Sequence, residues 1–397
     1  MQKSCRQCAT QFEITNEDLK FYEKVSPVIA GKTYNIPAPT LCPPCRLQRR
    51  LSHRNEHRLY QRKCDLSGKQ IISMYAPDKK FPVYDSTAWR SDKWDATNYG
   101  RDFDFSRPFF EQLYDLKQSV PHLALLSFNN ENSDYTNCVT NLKNCYLLFS
   151  SDYNQDCYYG VWLEHSKNCV DNLMLDHSEL TYEAVFSQKI YNSMFIYNSS
   201  SCSDSAFLYD CKGSSNCFMS NGLRNKQYYF RNKPCTPEEY QQKIKDINYG
   251  SFKAFQQLQK EFQKLMESGV HRATNQNGRV NDSTGNFLTD VENCQWSFEV
   301  IRFKDGSYLF GALDGKDIQD SCFVGIGELG YELCECVPAP YHSAFSVQTY
   351  TGSNLYYAMN CMNDCKDCFG CVGLRHKQYC ILNKQYSKEE YEKLVPK

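Results

Sequence analysis

The sequence lacks any apolar run near the ~18–20 residues that a membrane-spanning helix needs. Its start, Met1-Gln2-Lys3-Ser4-Cys5, carries charge with no apolar stretch behind it, which argues against a secretory leader and for a cytoplasmic protein. It also lacks a G-x-S-x-G elbow, a phosphate-binding P-loop and an H-E-x-x-H helix. Net charge is nearly absent, at −1 over 397 residues, with a mean hydropathy of −0.63. What the chain has in excess is cysteine, 22 in all. In a reducing compartment these are not a disulfide framework, so they must bind metal, pack as small hydrophobes, or react.

The balanced charge hides a split. Residues 1–80 hold 15 Lys and Arg against 7 Asp and Glu, so the remainder is acidic. A basic head on an acidic body suits contact with a polyanion. The charge concentrates in Arg46, Arg49, Arg50, Arg54, Arg58, Arg62 and Lys63, several at three- and four-residue spacings that a helix would gather on one side.

The middle of the chain is periodic. Ser133, Cys145, Cys157, Cys169, Thr181, Ser193, Ser205 and Cys217 fall at every twelfth position, and all but one of the residues preceding them are Asn or Asp. Short aromatic and aliphatic pieces lie between, such as Tyr146-Leu147-Leu148-Phe149 and Ala206-Phe207-Leu208-Tyr209. Short strands separated by Asn or Asp turns at a fixed period predict a β-solenoid, in which each unit buries its apolar face against its neighbours. The unit is either one very narrow coil or half of a coil of about 24 residues; the abundance of Phe and Leu favours the wider coil. Cys, Ser and Thr interchanging in one column read as inward packing.

The repeat ends in a module that returns. Gly222-Leu223-Arg224-Asn225-Lys226-Gln227-Tyr228, Asn232-Lys233 and Thr236-Pro237-Glu238-Glu239-Tyr240 match Gly373-Leu374-Arg375-His376-Lys377-Gln378-Tyr379, Asn383-Lys384 and Ser387-Lys388-Glu389-Glu390-Tyr391. Thr236 and Ser387 before Glu-rich turns predict helix starts that would cover an open sheet edge. Upstream, Thr140–Cys145 matches Thr289–Cys294. The body is therefore a tandem duplication, each half a solenoid closed by a helix. Residues 236–268 read as helix, with a packing stripe of Phe252, Phe255, Leu258, Phe262 and Leu265, and 269–292 as a loop.

Cys5-x2-Cys8 and Cys42-x2-Cys45 are two knuckles whose spacing lets four thiolates meet on one tetrahedral Zn²⁺. Such a closed site builds structure and leaves no coordination position for chemistry. From this point on, the chain resembles a bacterial family without an assigned activity, whose members carry N-terminal zinc ribbons followed by cysteine-rich repeats. The resemblance rests on Arg54-Asn55-Glu56, Ile71–Tyr75, Ser91–Asp95, Tyr99–Gln112 and both terminal modules. Some members are labelled relatives of CoA-transferases, a label that no residue here supports. Where the family has a second pair of knuckles, this chain has Cys64-Asp65-Leu66-Ser67 and Asp85-Ser86-Thr87-Ala88, so only the first zinc is expected.

The fold expected is mainly β: a zinc ribbon and basic segment over 1–63, a degenerate second ribbon and connecting helix over 64–120, a first solenoid over 121–235, a helical cap and linker over 236–268, a second solenoid over 269–386 and a cap helix over 387–397.

Two further clusters have weaker claims. Cys361, Cys365, Cys368 and Cys371 lie close enough in sequence for a metal or iron–sulfur centre, yet the matching positions of the first copy are Asp210, Ser214, Cys217 and Ser220, which suits packing. Glu164-His165 and Asp176-His177, one period apart, would stack carboxylates on adjacent rungs and offer an acid–base pair for a polymeric substrate. The reading preferred on sequence is a non-enzymatic, zinc-binding protein. Its basic head would contact nucleic acid, RNA at least as readily as DNA, and its solenoid faces would serve as scaffold and protein-binding surface. The rivals are a solenoid enzyme acting through Glu164, His165, Asp176 and His177, and a pure protein–protein scaffold.

Overall fold

The computed structural model describes residues 1–269, 276–320, 322–324, 330–331, 334–336 and 352–397. It is mainly β, with large parallel sheets behind a small N-terminal head.

The head opens with an antiparallel hairpin, β1 (Gln2–Ser4) and β2 (Gln11–Glu13). Helix α1 (Asn16–Val25) follows, fixed at its start by a reciprocal cap in which Asp18 N donates to Thr15 Oγ1 and Thr15 N to Asp18 Oδ2. Helix α2 (Pro43–Leu51) begins with two prolines, whose missing amides a first helical turn does not need. A second hairpin pairs Tyr60–Lys63 with Gln70–Ser73. Helices α3 (Ser86–Arg90) and α4 (Phe109–Ser119) lead to the body.

The first large sheet runs from Ser127 to Pro234 in eleven strands, parallel except for the last. Its parallel pairs share one register: Tyr146 opposes Tyr158, Tyr158 opposes Val170, Val170 opposes Tyr182 and Tyr182 opposes Met194. The chain thus returns beside itself once per sequence repeat, and the wider coil expected from the Phe and Leu content is overturned. The aromatic rings point outward, where no interior volume is needed.

A finer period of three lies inside the repeat. Every third residue from Asn129 to Arg231 has a positive φ, and every third residue from Thr136 to Leu223 is buried. Each left-handed residue turns the chain and the next is buried, so each repeat of twelve places four side chains in the core. Only small or slender groups fit there. Left-handed backbone costs a non-glycine L-residue roughly 1–2 kcal/mol, and Asn and Asp tolerate it best. This is the physical origin of the Asn-Cys and Asp-Ser pairs. The column of corner residues forms side-chain ladders, with Asn144 Nδ2 donating to Asp156 at 3.0 Å and Asn192 Nδ2 to Asp204 at 2.8 Å.

The inward hydroxyls and thiols have a shared task. Ser187 Oγ donates to the carbonyls of Val185 and Ile196, both at 3.0 Å, and accepts from Ser199 N. Cys157 Sγ and Cys217 Sγ donate in the same way to carbonyls two residues before and nine after. The interchange of Cys, Ser and Thr follows, since each is a small group able to donate a hydrogen bond into this core.

The expected loop at 269–292 is in part strand. Gln276–Asn281 and Gly285–Gln295 begin a second sheet with largely the same repeat register, while residues 270–275 lie outside the described set. This sheet lies beside the first, with Phe186 stacked on Phe287 at 4.3 Å and Trp162 meeting Phe310 at 6.4 Å. A third sheet, from Gly352 to Gln385, packs through Leu355, Cys368 and Leu382 on Trp89, Trp94 and Leu116.

The duplicated module keeps its turn bond and its helix cap in both copies. Cys235 N donates to Tyr228 O and Tyr386 N to Tyr379 O, both at 2.9 Å. Helices α5 (Pro237–Lys245) and α7 (Lys388–Leu394) each start with a reciprocal cap, Thr236 with Glu239 and Ser387 with Glu390. The single helix expected over 236–268 is two, α5 and α6 (Phe252–Ser268). Leu258 and Phe262 cover Phe195, Phe207 and Phe218, whereas Phe252 is 76% exposed and leaves the stripe.

Candidate metal centre and basic groove

The β1–β2 turn carries Cys5 and Cys8, and the start of α2 carries Cys42 and Cys45. Local geometry does the positioning: Cys5 N bonds Thr10 O, Ala9 N returns to Cys5 O, and Ala9 adopts φ 61°. The four sulfurs lie within 4.8 Å of one another, and Cys8 Sγ and Cys42 Sγ are 3.6 Å apart. A tetrahedral ion with Zn–S bonds near 2.3 Å would hold its sulfurs about 3.8 Å apart. The thiols differ in acidity. Burial raises Cys5, but amide hydrogen bonds from Cys42, Cys8 and Gln7 outweigh it and bring it to about 6. Burial and the neighbouring sulfurs push Cys45 up to about 12. Four sulfurs this close cannot all ionise without a cation among them, so the donor set fits a thiophilic ion, which these residues would hold as a closed structural site.

The second hairpin repeats this layout without the metal set. Cys64 N bonds Lys69 O, Gly68 N bonds Cys64 O, and Asp85 N approaches Cys64 Sγ at 3.4 Å, as Cys42 N approaches Cys5 Sγ at 3.3 Å. Asp85 caps α3 through Ala88 N, and Ser67 Oγ donates to Asp85 Oδ2 at 2.9 Å. The carboxylate, despite burial, is held below its ordinary range by Ala88 N, Cys64 and Ser67.

Cys361, Cys365, Cys368 and Cys371 are fully buried. All four are inward core positions, and Cys371 Sγ donates to the Phe369 and Cys380 carbonyls. Their odd spacing comes from one inserted residue: Gly352 pairs with Cys365, an advance of 13, and Asn363 and Asp364 both have positive φ.

The basic segment divides. Arg46 and Arg50, each 2% exposed, turn inward onto fully buried Asp320, with Arg46 Nε at 2.9 Å and Arg50 Nη1 at 3.3 Å from the same oxygen. Tyr22 OH also reaches Asp320, and the Arg46 guanidinium lies over the Tyr308 ring. These two arginines join the head to the second sheet and are withdrawn from any external partner. Arg54 pairs with Glu56 and Arg62 with Asp65, their side chains 5% and 7% exposed. Arg49, Arg58 and Lys63 face outward.

Beside α2 lies a groove of about 470 Å³ whose walls include Pro39, Arg49, His53, Phe110, Tyr357 and Met359. Desolvation, then the positive charges of Lys117 and Arg49, depress the His53 pKa. Lys117 is itself depressed by desolvation and by Lys79. Phe110, 63% exposed, stands edge-on to Tyr357 at 5.4 Å. The aromatic and Lys117 contributions escape a motif search because they come from α4 and the third sheet, far from the basic run.

On the first sheet the column Asp152, Glu164, Asp176 is in register, as the repeat predicts. Desolvation, then Asp152 and Asp176, raise the Glu164 carboxyl to about 9. His177 Nδ1 lies 2.6 Å from Asp176 Oδ1, and the His165 and His177 rings stack at 4.7 Å. No helix among the described residues is long and apolar enough to cross a membrane.

No family model and no curated protein matches the chain. Among solved structures, one described as an acetyltransferase from Desulfovibrio desulfuricans G20 aligns at 12% identity and a TM-score of 0.12, covering 73% of this chain and 71% of that one.

Proposed function

We propose that the chain is a non-enzymatic protein with a structural zinc in its head and two capped β-solenoids as its body, and that the head docks on single-stranded nucleic acid, RNA at least as readily as DNA, through the groove beside α2. The observation that carries this reading is a groove lined by Arg49, His53 and the exposed Phe110 ring, with the Lys117 charge near enough to act on His53. Cations gathered at one place attract phosphate, and an exposed aromatic face accepts a stacked base. The contact set is narrower than the basic run suggests, because Arg46 and Arg50 hold the head in place.

Electrophoretic titration with short single-stranded RNA and DNA over a salt series tests the proposal. Two phosphate contacts, from Arg49 and Lys117, correspond to a slope of about −1.4 in log K against log salt. Arg49→Glu is expected to abolish binding and Phe110→Ala to weaken it, with both variants folded. No binding at low salt, or a flat salt response, overturns it.

A further inference from the structure

We propose that His165, Asp176 and His177 form a second metal site, separate from the thiolate centre, for a borderline-soft divalent ion such as Zn²⁺, Ni²⁺ or Co²⁺. The backbone ladder sets the three residues in place. His165 and His177 occupy the same corner of adjacent coils, with φ of 49° and 45°, and His177 N donates to Glu164 O at 2.9 Å. One donor atom from each of His165, Asp176 and His177 lies within 4.8 Å of the others. Ions bound at 2.0–2.2 Å hold their donors about 3.3 Å apart, a gap that side-chain rotation closes. That rotation is open to both rings, since their side chains are 49% and 56% exposed.

Two features distinguish this cluster from an ordinary polar surface. Tyr153 stacks on the other face of His165 at 4.9 Å and 10°, so both imidazoles belong to one three-ring pile. The carboxylates of Asp152, Glu164 and Asp176 lie on successive strands, and the nearby cation from the second sheet, Arg302, is engaged by Asp314 through two hydrogen bonds of 2.5 and 2.8 Å. A cation between the rings and Asp176 would favour ionised carboxylates in this column. Two imidazoles and one carboxylate suit first-row transition ions better than Mg²⁺ or Ca²⁺, and they leave positions for water or a ligand group.

Metal analysis of the full chain after dialysis at micromolar free zinc tests this. Two equivalents are expected for the wild type and one for the double variant His165→Ala/His177→Ala, with unchanged circular dichroism. Asp176→Asn is expected to weaken the second equivalent alone. With cobalt, the second equivalent is expected to add no thiolate charge-transfer absorption. One zinc in the wild type, two in the double variant, or a second cobalt that increases the thiolate band overturns the site.

Discussion

Ser67 Oγ donates to Asp85 Oδ2 at 2.9 Å where, in the first ribbon, Cys8 Sγ and Cys42 Sγ stand 3.6 Å apart. The two hairpin–helix units share their turn bonds and their amide-to-sulfur contact, and one polar bond and a helix cap stand in the second where four thiols gather in the first. Cys64 retains the place of Cys5 and is 1% exposed.

That equivalence is open to construction. Ser67→Cys, Asp85→Cys and Ala88→Cys together place three thiols around Cys64 in the geometry of the first centre. The triple variant is expected to bind one more zinc than the parent, measured by metal analysis. Cys5→Ser is expected to bind one fewer, with loss of head folding seen as faster proteolysis near α1.

How much of this was legible depended on whether a feature repeats. The Asn144-Cys145 pair recurs along the first parallel sheet because each repeat needs a left-handed corner followed by a small donor, so the column was readable from one chain. The coil size was not, because Phe195 and Phe207 look like filling for a wide core and in fact lie under α6. Cys42 and Cys45 announce themselves by spacing. Asp320, which takes Arg46 and Arg50 out of the basic surface, is a single acid with no pattern around it. Helical spacing placed all those arginines together; only the packing of the head separates inward Arg46 and Arg50 from outward Arg49.

Asp320→Ala leaves Arg46 and Arg50 as buried charges without their carboxylate. Breaking a buried pair from one side costs about 3–5 kcal/mol. Because the pair bridges the head and the second sheet, the loss is expected at that junction, as early cleavage between residues 1–63 and the body in limited proteolysis. Unchanged protection would show that the junction is held elsewhere.

Leu180 interrupts the Asn and Asp corner column between Asn168 and Asn192, with φ 54° and 44% of its surface exposed. Leu180→Asn relieves a left-handed backbone that suits leucine poorly and adds a rung to the side-chain ladder. A gain of about 1 kcal/mol is expected, read as a rise in the thermal midpoint.

His122 gives the fold an acid limit. It is 1% exposed, its Nε2 lies 2.9 Å from the Lys117 carbonyl, and Phe81 and Tyr75 pack against the ring. Burial, with a smaller contribution from the Lys117 charge, depresses its pKa from 6.5 to about 4. The unfolded chain therefore binds a proton that the folded chain refuses between those two values. Stability from the neutral ring is fully present above pH 6.5 and is lost as pH falls towards 4, by about 3 kcal/mol in total. His122→Gln, which keeps a donor towards the Lys117 carbonyl without a titrating group, is expected to flatten urea-derived stability across that window while lowering it at neutral pH. An unchanged acid slope in the variant would assign the acid limit to other groups.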